Sequence, residues 1–430
     1  MRLEINYGKG KLPLEIPENN ILAYRQPNSQ ASEANSGNQK ILLEAINDFG
    51  ILRLSPIFAG RQVGVIVEDA TRSTPLAELL AVMLPFLRGA RFVQFLIATG
   101  SHEPDTSGNR RIIDGIHAMI ADFDFPEYEI HASDCEKDEF IDVGVTTRGT
   151  PVRVNERSAR CEVFLVLSDM KNHYFAGYSN PLKNFLPGIC SLQTIARNHS
   201  LTLDERSTFG LHPLHPDPKR RRAPLAEDLW EGVQMILRRR PVLVLAVISY
   251  QNQLQWAKIG ALVEAVTAGI QKVDELTSFT LPKADLMIVA PGGYPDDESL
   301  YTAQRALELT KNAINAGGEA LFLAHCENGI GPQKTMAHFY DLLAQPIPDV
   351  LKSIEADYEL YSHKAYKFAQ MIQQLRAIHV HSSLPDEAIE RIHLKPCADP
   401  QALVNRWLAD NPQRQINIFD GANKLAIYAE

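Results

Sequence analysis

Cysteine is scarce in this chain. There are five in 430 residues, an odd number, and no CxxC spacing links Cys135, Cys161, Cys190, Cys326 and Cys397. That speaks against a disulfide framework or a structural zinc site and for a reducing compartment, read here as the cytoplasm. Long apolar runs are missing too. The most apolar stretch, VLVLAVI at 242–248, falls far short of the ~20 residues that span a bilayer. The opening MRLEINYGKGKLPLEIP lacks a basic-then-apolar leader pattern. Basic excess is absent: 43 Lys+Arg against 52 Asp+Glu leave a net charge of -9, which disfavours nucleic acid as a partner. Neither GxGxxG, GxxxxGK[ST] nor HExxH occurs. The sequence therefore shows no dinucleotide fingerprint, P-loop or zinc-hydrolase helix.

What is present is a globular composition, 45% apolar and 22% charged, in a chain long enough for two or three domains. Short apolar runs at 62–69, 92–100, 162–169, 242–250, 284–291, 319–326 and 376–383 alternate with amphipathic helical patterns such as PLAELLAVMLPFL and YTAQRALELTKNAINAG. Near-continuous apolar strands alternating with helices predict mostly parallel sheets covered on both faces. The expected fold is two Rossmann-like α/β domains, 1–275 and 276–430, with an active-site cleft between them and a hinge near 270–282. LEINYGKGKLPLEIP reads as a hairpin appended to the first domain, to which the extreme C-terminus is also allowed to return. The Pro- and Arg-rich LHPLHPDPKRRRAP (211–224) reads either as a solvated surface excursion or as a basic lip over an anionic ligand.

In open α/β sheets ligands gather at the carboxyl ends of the strands, and four polar clusters fall there. The first is Asp69-Ala-Thr-Arg72-Ser-Thr-Pro75. Thr74 suits an N-cap, Pro75 the first helical position, and Arg72 an anion; a plain cap with a surface Asp69–Arg72 pair explains it equally. The second, Thr99-Gly-Ser-His102-Glu-Pro, puts a histidine in a tight loop. The third runs from His173 through Lys183, in the apolar LKNFLPG, to His199 at the end of a helical pattern. A partly desolvated lysine has a lowered pKa and can act as a nucleophile, and imidazole ligates nickel, zinc or copper. Alternatively Lys183 snorkels to solvent and His199 answers the helix dipole. The fourth, APGGYPDDESLYT, is followed by Arg305, which shares a helical face with Tyr301, so the two could hold a carboxylate.

Taken together, DATRSTP, TGSH, HYFAGYS…K…LPGI…TI…NHS, APGGYP and SHKAYKFA resemble, in order, the nickel-dependent lactate racemase family. The most specific part is His173–Lys183–His199, with its 10- and 16-residue spacings. The resemblance implies a nickel-pincer nucleotide, a pyridinium-based mononucleotide carrying sulfur groups. It would be joined to Lys183 and ligated through nickel by His199, with Asp69, Thr71, Arg72, Gly177 and Ser179 around it. His102 and His173 fall on the two acid/base histidines, and Arg72, Tyr301, Thr302 and Arg305 on the substrate pocket.

The implied reaction is racemisation or epimerisation of a 2-hydroxy acid. The α-proton beside a carboxylate is very weakly acidic, whereas its loss as hydride to a pyridinium is feasible once the hydroxyl is deprotonated. Two bases serve two enantiomers, and imidazole titrates near the required pH. Partners would be the small-molecule substrate and the enzymes that build the cofactor. The chain has Asn180-Pro181 where the family usually has two glycines, and Thr302 and Arg305 where it has glutamine and lysine. Arginine reads a carboxylate as a planar fork and threonine leaves space, so the expected substrate is larger or more anionic than lactate. The competing readings are a carboxylate-binding homologue without racemase activity and a nicotinamide-dependent 2-hydroxy acid dehydrogenase.

Overall fold

The computed structural model describes residues 1–27, 36–72, 74–121 and 124–430. The chain forms two compact units. One comprises Ser29–Lys171 and Phe175–Val273; the other comprises Met1–Asn28, Asn172–Tyr174 and Asp274–Glu430.

The contiguous-core unit is built on a six-stranded sheet in the order Gln253–Ala261, Val242–Tyr250, Val163–Asp169, Gln62–Glu68, Phe92–Ala98, Tyr128–Ala132. Its strands are parallel except for Gln253–Ala261, which pairs antiparallel at one edge. Val163–Asp169 is buried at every position, as a strand covered on both faces must be, and this is why it reads as a continuous apolar run. Val63, Val65, Val67, Phe95, Leu165 and Leu167 form a core with Leu79, Leu80 and Met83 of helix Leu76–Met83. From Gln62–Glu68 the chain order runs outward in one direction through Phe92–Ala98, and from Val163–Asp169 in the other. The strand order thus reverses between Gln62–Glu68 and Val163–Asp169, where a doubly wound sheet opens a crevice at its carboxyl end.

The second unit has its own six-stranded parallel sheet, ordered Lys395–Pro396, Ala377–His381, Ile314–Leu323, Ala284–Ala290, Ile416–Asp420, Ile21–Arg25. The hairpin Arg2–Tyr7/Gly10–Glu15 belongs to this unit, not to the first domain as the sequence order led us to expect. Its Leu3, Ile5, Leu14 and Ile16 pack with Trp407, Ile416 and Ile418. Asn6 donates from its backbone and side chain to Asp420, at 3.3 and 2.8 Å. The C-terminal strands also remain in this unit.

Other local expectations change. The single helix expected after APGGYP is two short ones, Leu300–Ala303 and Arg305–Thr310, and its last residues turn into strand Ile314–Leu323. The region expected to hinge is helix Leu262–Thr277 followed by strand Ser278–Leu281. None of the five cysteines is in a disulfide, and four of them are buried. No helix among the described residues is long and apolar enough to cross a membrane.

Candidate functional site

Strands Gln62–Glu68 and Phe92–Ala98 run parallel with Glu68 opposite Ala98, so the segments that follow them emerge side by side. This juxtaposes Asp69 with His102: the carboxylate Oδ2 lies 2.8 Å from the imidazole Nδ1. Thr71 donates its hydroxyl to Asp69 Oδ1 at 2.8 Å, and Arg72 Nε stands 4.0 Å from the same oxygen. Asp69 is buried, its side chain 2% exposed, whereas His102 is 42% exposed. Burial alone would raise the Asp69 pKa. The charge and hydrogen bond of His102, with Arg72 and Thr71, outweigh it and hold the carboxyl below its usual range. An ionised Asp69 accepts the Nδ1 proton, which leaves His102 Nε2 as the nitrogen able to take or give a proton. The Asp69–Arg72 pair is thus not a surface pair.

Thr74 does not cap the helix. Pro75 occupies the N-cap of Leu76–Met83, and the Thr74 hydroxyl donates instead to Glu68 Oε2. Glu68, buried at the reversal point, gathers donors: Ser168 Oγ at 3.1 Å and the Asp169 N–H at 3.4 Å complete its set. Burial, then the neighbouring Asp169 charge, raise its pKa. Ser73 lies outside the described residues. A cavity of about 280 Å³ opens beside this loop, lined by Glu68, Asp69, Arg72, Arg111, Leu80 and Met119 among others.

Lys183 sits on the one-turn helix Leu182–Phe185 and is half-buried. Its turn is tied to the His102 loop: Gly188 N–H donates to Lys183 O at 3.0 Å, and Gly100 N–H to Gly188 O at 3.0 Å. A side chain at Gly188 would have its Cβ 2.2 Å from Asn184 O, so this packing admits only glycine. His199 ends helix Leu192–Ser200, which Ser191 caps by accepting from the Thr194 N–H. The adjacent Asn198 anchors that helix through Asp228 at 2.8 Å.

Lys183 and His199 converge on one ring: Lys183 Nζ lies 5.4 Å from the Phe175 centroid, and His199 packs edge-on to Phe175 at 5.3 Å. Burial, then the charge of Lys183, pull the His199 pKa down to about 3, so this imidazole is neutral with a lone pair to offer. Gly177 and Ser179 form the buried strand leading to this turn.

The remaining predicted residues belong to the second unit. His173 stacks on Tyr174 at 5.3 Å. Tyr301 is buried, with burial raising its phenol pKa, and packs edge-on to Phe339 at 5.2 Å. Thr302 shares a hydrogen bond with Ser299, the cap of its helix, at 3.1 Å. Arg305 holds Asp296 at 2.7 Å, so at least one arm of its fork is engaged with a protein carboxylate.

Sequence reasoning gave no role to Lys364, whose ammonium lies 3.7 Å from the Tyr301 ring centroid and donates to the Tyr301 carbonyl. It also passed over Lys367, 3% exposed on the same helix. Two lysines three apart in the apolar SHKAYKFA were the available signal. Glu68 and Asp169, final residues of their strands, were passed over as well. Among the described residues no cluster of three or more His, Cys, Asp or Glu is placed to hold a metal ion.

Residues 7–210 match the family description "Lactate racemase N-terminal domain" and residues 280–416 "Lactate racemase C-terminal domain". Lactate racemase of Thermoanaerobacterium thermosaccharolyticum is 27% identical over 340 residues, 76% of this chain and 75% of that protein. Lactate racemase of Lactiplantibacillus plantarum is 23% identical over 338 residues, 76% of each. Among solved structures, the lactate racemase apoprotein from Thermoanaerobacterium thermosaccharolyticum superposes with a TM-score of 0.84 at 21% identity, covering 99% of this chain and 100% of that one. A protein from Thermotoga maritima gives 0.69 at 13% identity, covering 91% and 98%. Both likenesses concern the fold.

Proposed function

The chain belongs to the lactate racemase family, and from that premise we propose that it is an isomerase inverting C2 of a 2-hydroxy acid by reversible hydride transfer to a nickel-pincer nucleotide. The observation that carries this reading is the convergence of Lys183 and His199 on the Phe175 ring. The donor set fits the group: one half-buried amine for covalent attachment, and one neutral, buried imidazole for a borderline metal such as nickel. Asn184, beside Lys183, adds a buried carboxamide Nδ2 with no hydrogen-bond partner, a donor left for a ligand or an ordered water. When bound, the group supplies the acceptor and donor of the C2 hydrogen.

The chain's own residues do the rest. Asp69 fixes the His102 ring, so that Nε2 accepts the substrate hydroxyl proton as the C2 hydrogen departs, leaving a 2-keto acid. After the keto acid presents its other face and regains the hydrogen, a proton returns to oxygen. We assign that second acid/base role to His173. Arg72 pairs with the substrate carboxylate, and we assign substrate contacts to Tyr301, Thr302 and Arg305.

Threonine at 302 and arginine at 305, where the family has glutamine and lysine, favour a substrate larger or more anionic than lactate. Turnover strongly favouring lactate over bulkier 2-hydroxy acids would overturn that part. Five cysteines with no disulfide among them support a cytoplasmic setting, where the partners are the substrate and the cofactor's biosynthetic enzymes.

The decisive test is intact mass and nickel content of protein co-produced with those enzymes, with and without Lys183→Ala. A cofactor-sized adduct lost in the variant supports the reading. No adduct and no nickel in the parent protein leaves a carboxylate-binding homologue.

A further inference from the structure

The segment 211–223 is only partly a solvated excursion: residues 217–219, 221 and 222 are exposed, but the stretch around its histidines is packed. His212 and His215 are 1% and 4% exposed. Arg220 donates through Nε to Gly210 O and through a terminal nitrogen to the Tyr178 hydroxyl, both at 2.8 Å. Arg221 donates to the carbonyls of His215 and Pro216 at 2.7 and 3.1 Å. Arg220 thus pins the loop to the strand Gly177–Ser179, and the exposed Arg221 pins it to itself. The Tyr178 ring has His212 edge-on at 6.3 Å and His215 tilted against it at 6.2 Å. At Gly177, φ is +75° and a Cβ would lie 1.9 Å from Leu211 O. Only glycine lets the loop lie so close.

The contacts continue to the lysine. Asn180, 1% exposed, accepts from Leu182 N–H at 2.9 Å through Oδ1 and donates through Nδ2 to Tyr178 O at 3.0 Å. Those two bonds fix its orientation, so Nδ2 also faces His212 Nε2, at 3.3 Å. The Asn180 carbonyl accepts from Lys183 N–H at 2.9 Å. An unbroken path therefore runs from Arg220 through Tyr178 and Asn180 to the backbone of Lys183.

We infer that segment 211–223 is a positioning strap for Lys183: Tyr178 and His212 hold Asn180, and Asn180 sets the turn from which the lysine amine projects. The inference takes from the proposed function only that Lys183 is the attachment point. A lysine on a flexible stem goes where its backbone aims it, and a misplacement of about 1 Å costs on the order of 10²-fold in a reaction. His212 and Tyr178 are positioning residues. Neither is assigned contact with substrate or cofactor.

The test uses His212→Phe, which keeps a ring beside Tyr178, His212→Gln, which restores an acceptor for Asn180, Tyr178→Phe, which removes only the hydroxyl, and the exposed Arg222→Ala as control. In cofactor-free protein, Lys183 is labelled with a small amine-acylating probe, and its rate is ratioed to that of the chain's other lysines by peptide mass spectrometry. The expected result is at least a threefold change in that ratio for His212→Phe and Tyr178→Phe, with His212→Gln and Arg222→Ala within twofold of the parent. In co-produced protein, the cofactor-adduct fraction should fall at least fivefold in the first pair and persist in the second. Parent-like labelling and loading in both His212→Phe and Tyr178→Phe overturn the strap. Should His212→Phe fail to fold, Tyr178→Phe decides alone. Should the parent itself take no adduct, the cofactor reading fails, and the labelling ratios still decide the strap.

Discussion

The Asp69–His102 pair and Glu68 are adjacent in sequence and opposite in electrostatics. Asp69 has gained cationic and hydroxyl partners that keep it ionised despite burial; Glu68 has gained burial and a like charge. Asp69→Asn should leave the fold intact yet lower turnover by about 10²–10⁴-fold, the range of a lost general base, because the amide no longer enforces the proton on Nδ1. Steady-state kinetics of cofactor-loaded protein measures this, and a change below threefold would remove Asp69 from the mechanism. For Glu68 the sign is the reverse. An acid whose folded pKa lies above its unfolded one destabilises the fold as pH rises through that window. Glu68→Gln should therefore raise the neutral-pH unfolding midpoint, with the gain vanishing in acid. Calorimetry at two pH values checks it. Lys183 and His199 stood out as candidates in the sequence because an amine inside LKNFLPG and an imidazole at a helix end are locally unusual, and the structure brings both to the Phe175 ring. The partnership of Asp69 with His102 was not, since it depends on which strands are neighbours.

Helix Leu192–Ser200 carries His199 on a base set by its two ends, Ser191 at the cap and Asn198 on Asp228. Ser191→Ala should cost about 1 kcal/mol of stability and loosen His199, lowering nickel occupancy more than adduct formation at Lys183. Metal analysis beside intact mass separates the two. The buried central strands were readable because strands covered on both faces stay apolar throughout. The edge strand Gln253–Ala261 was not, since its partly exposed positions dilute the pattern. The helix after APGGYP was overextended because NAINAG continues an apolar spacing that a helix would use, yet the chain enters strand Ile314–Leu323 there. In the loop at 211–224 composition told half the story: Arg221 and Arg222 are exposed, while Arg220 is drawn in by the Gly210 carbonyl and the Tyr178 phenol.

For the molecule as a whole, acid stability should follow its buried imidazoles. Burial, then the charge of His215, bring His212 down to about 3. Its Nδ1 accepts from the Leu214 N–H at 3.1 Å, so the second ring proton of an imidazolium would be set against a donor. Between about 6.5 and 3 the unfolded chain binds a proton at this position that the folded chain refuses. Stability contributed here is full above that window and falls as pH drops through it, by about 1.4 kcal/mol per pH unit per histidine. His212→Gln should flatten the slope of unfolding free energy between pH 4 and 6 by one such proton, read by urea titration; an unchanged slope would mean that His212 titrates freely.

The division into two α/β units was readable from the alternation of strands and helices. The placement of the opening hairpin was not, because contacts such as Asn6 with Asp420 join positions 414 residues apart. Among the described residues, strand Ile21–Arg25 is an edge strand that pairs with Ile416–Asp420 alone. During synthesis at roughly 5–20 residues per second, this early segment waits about 20–80 s for its neighbour to emerge. In that interval its edge stays open to chaperones or to other nascent chains, while the unit of 29–171 and 175–273, complete about 7–30 s before the partner strand emerges, is free to settle first.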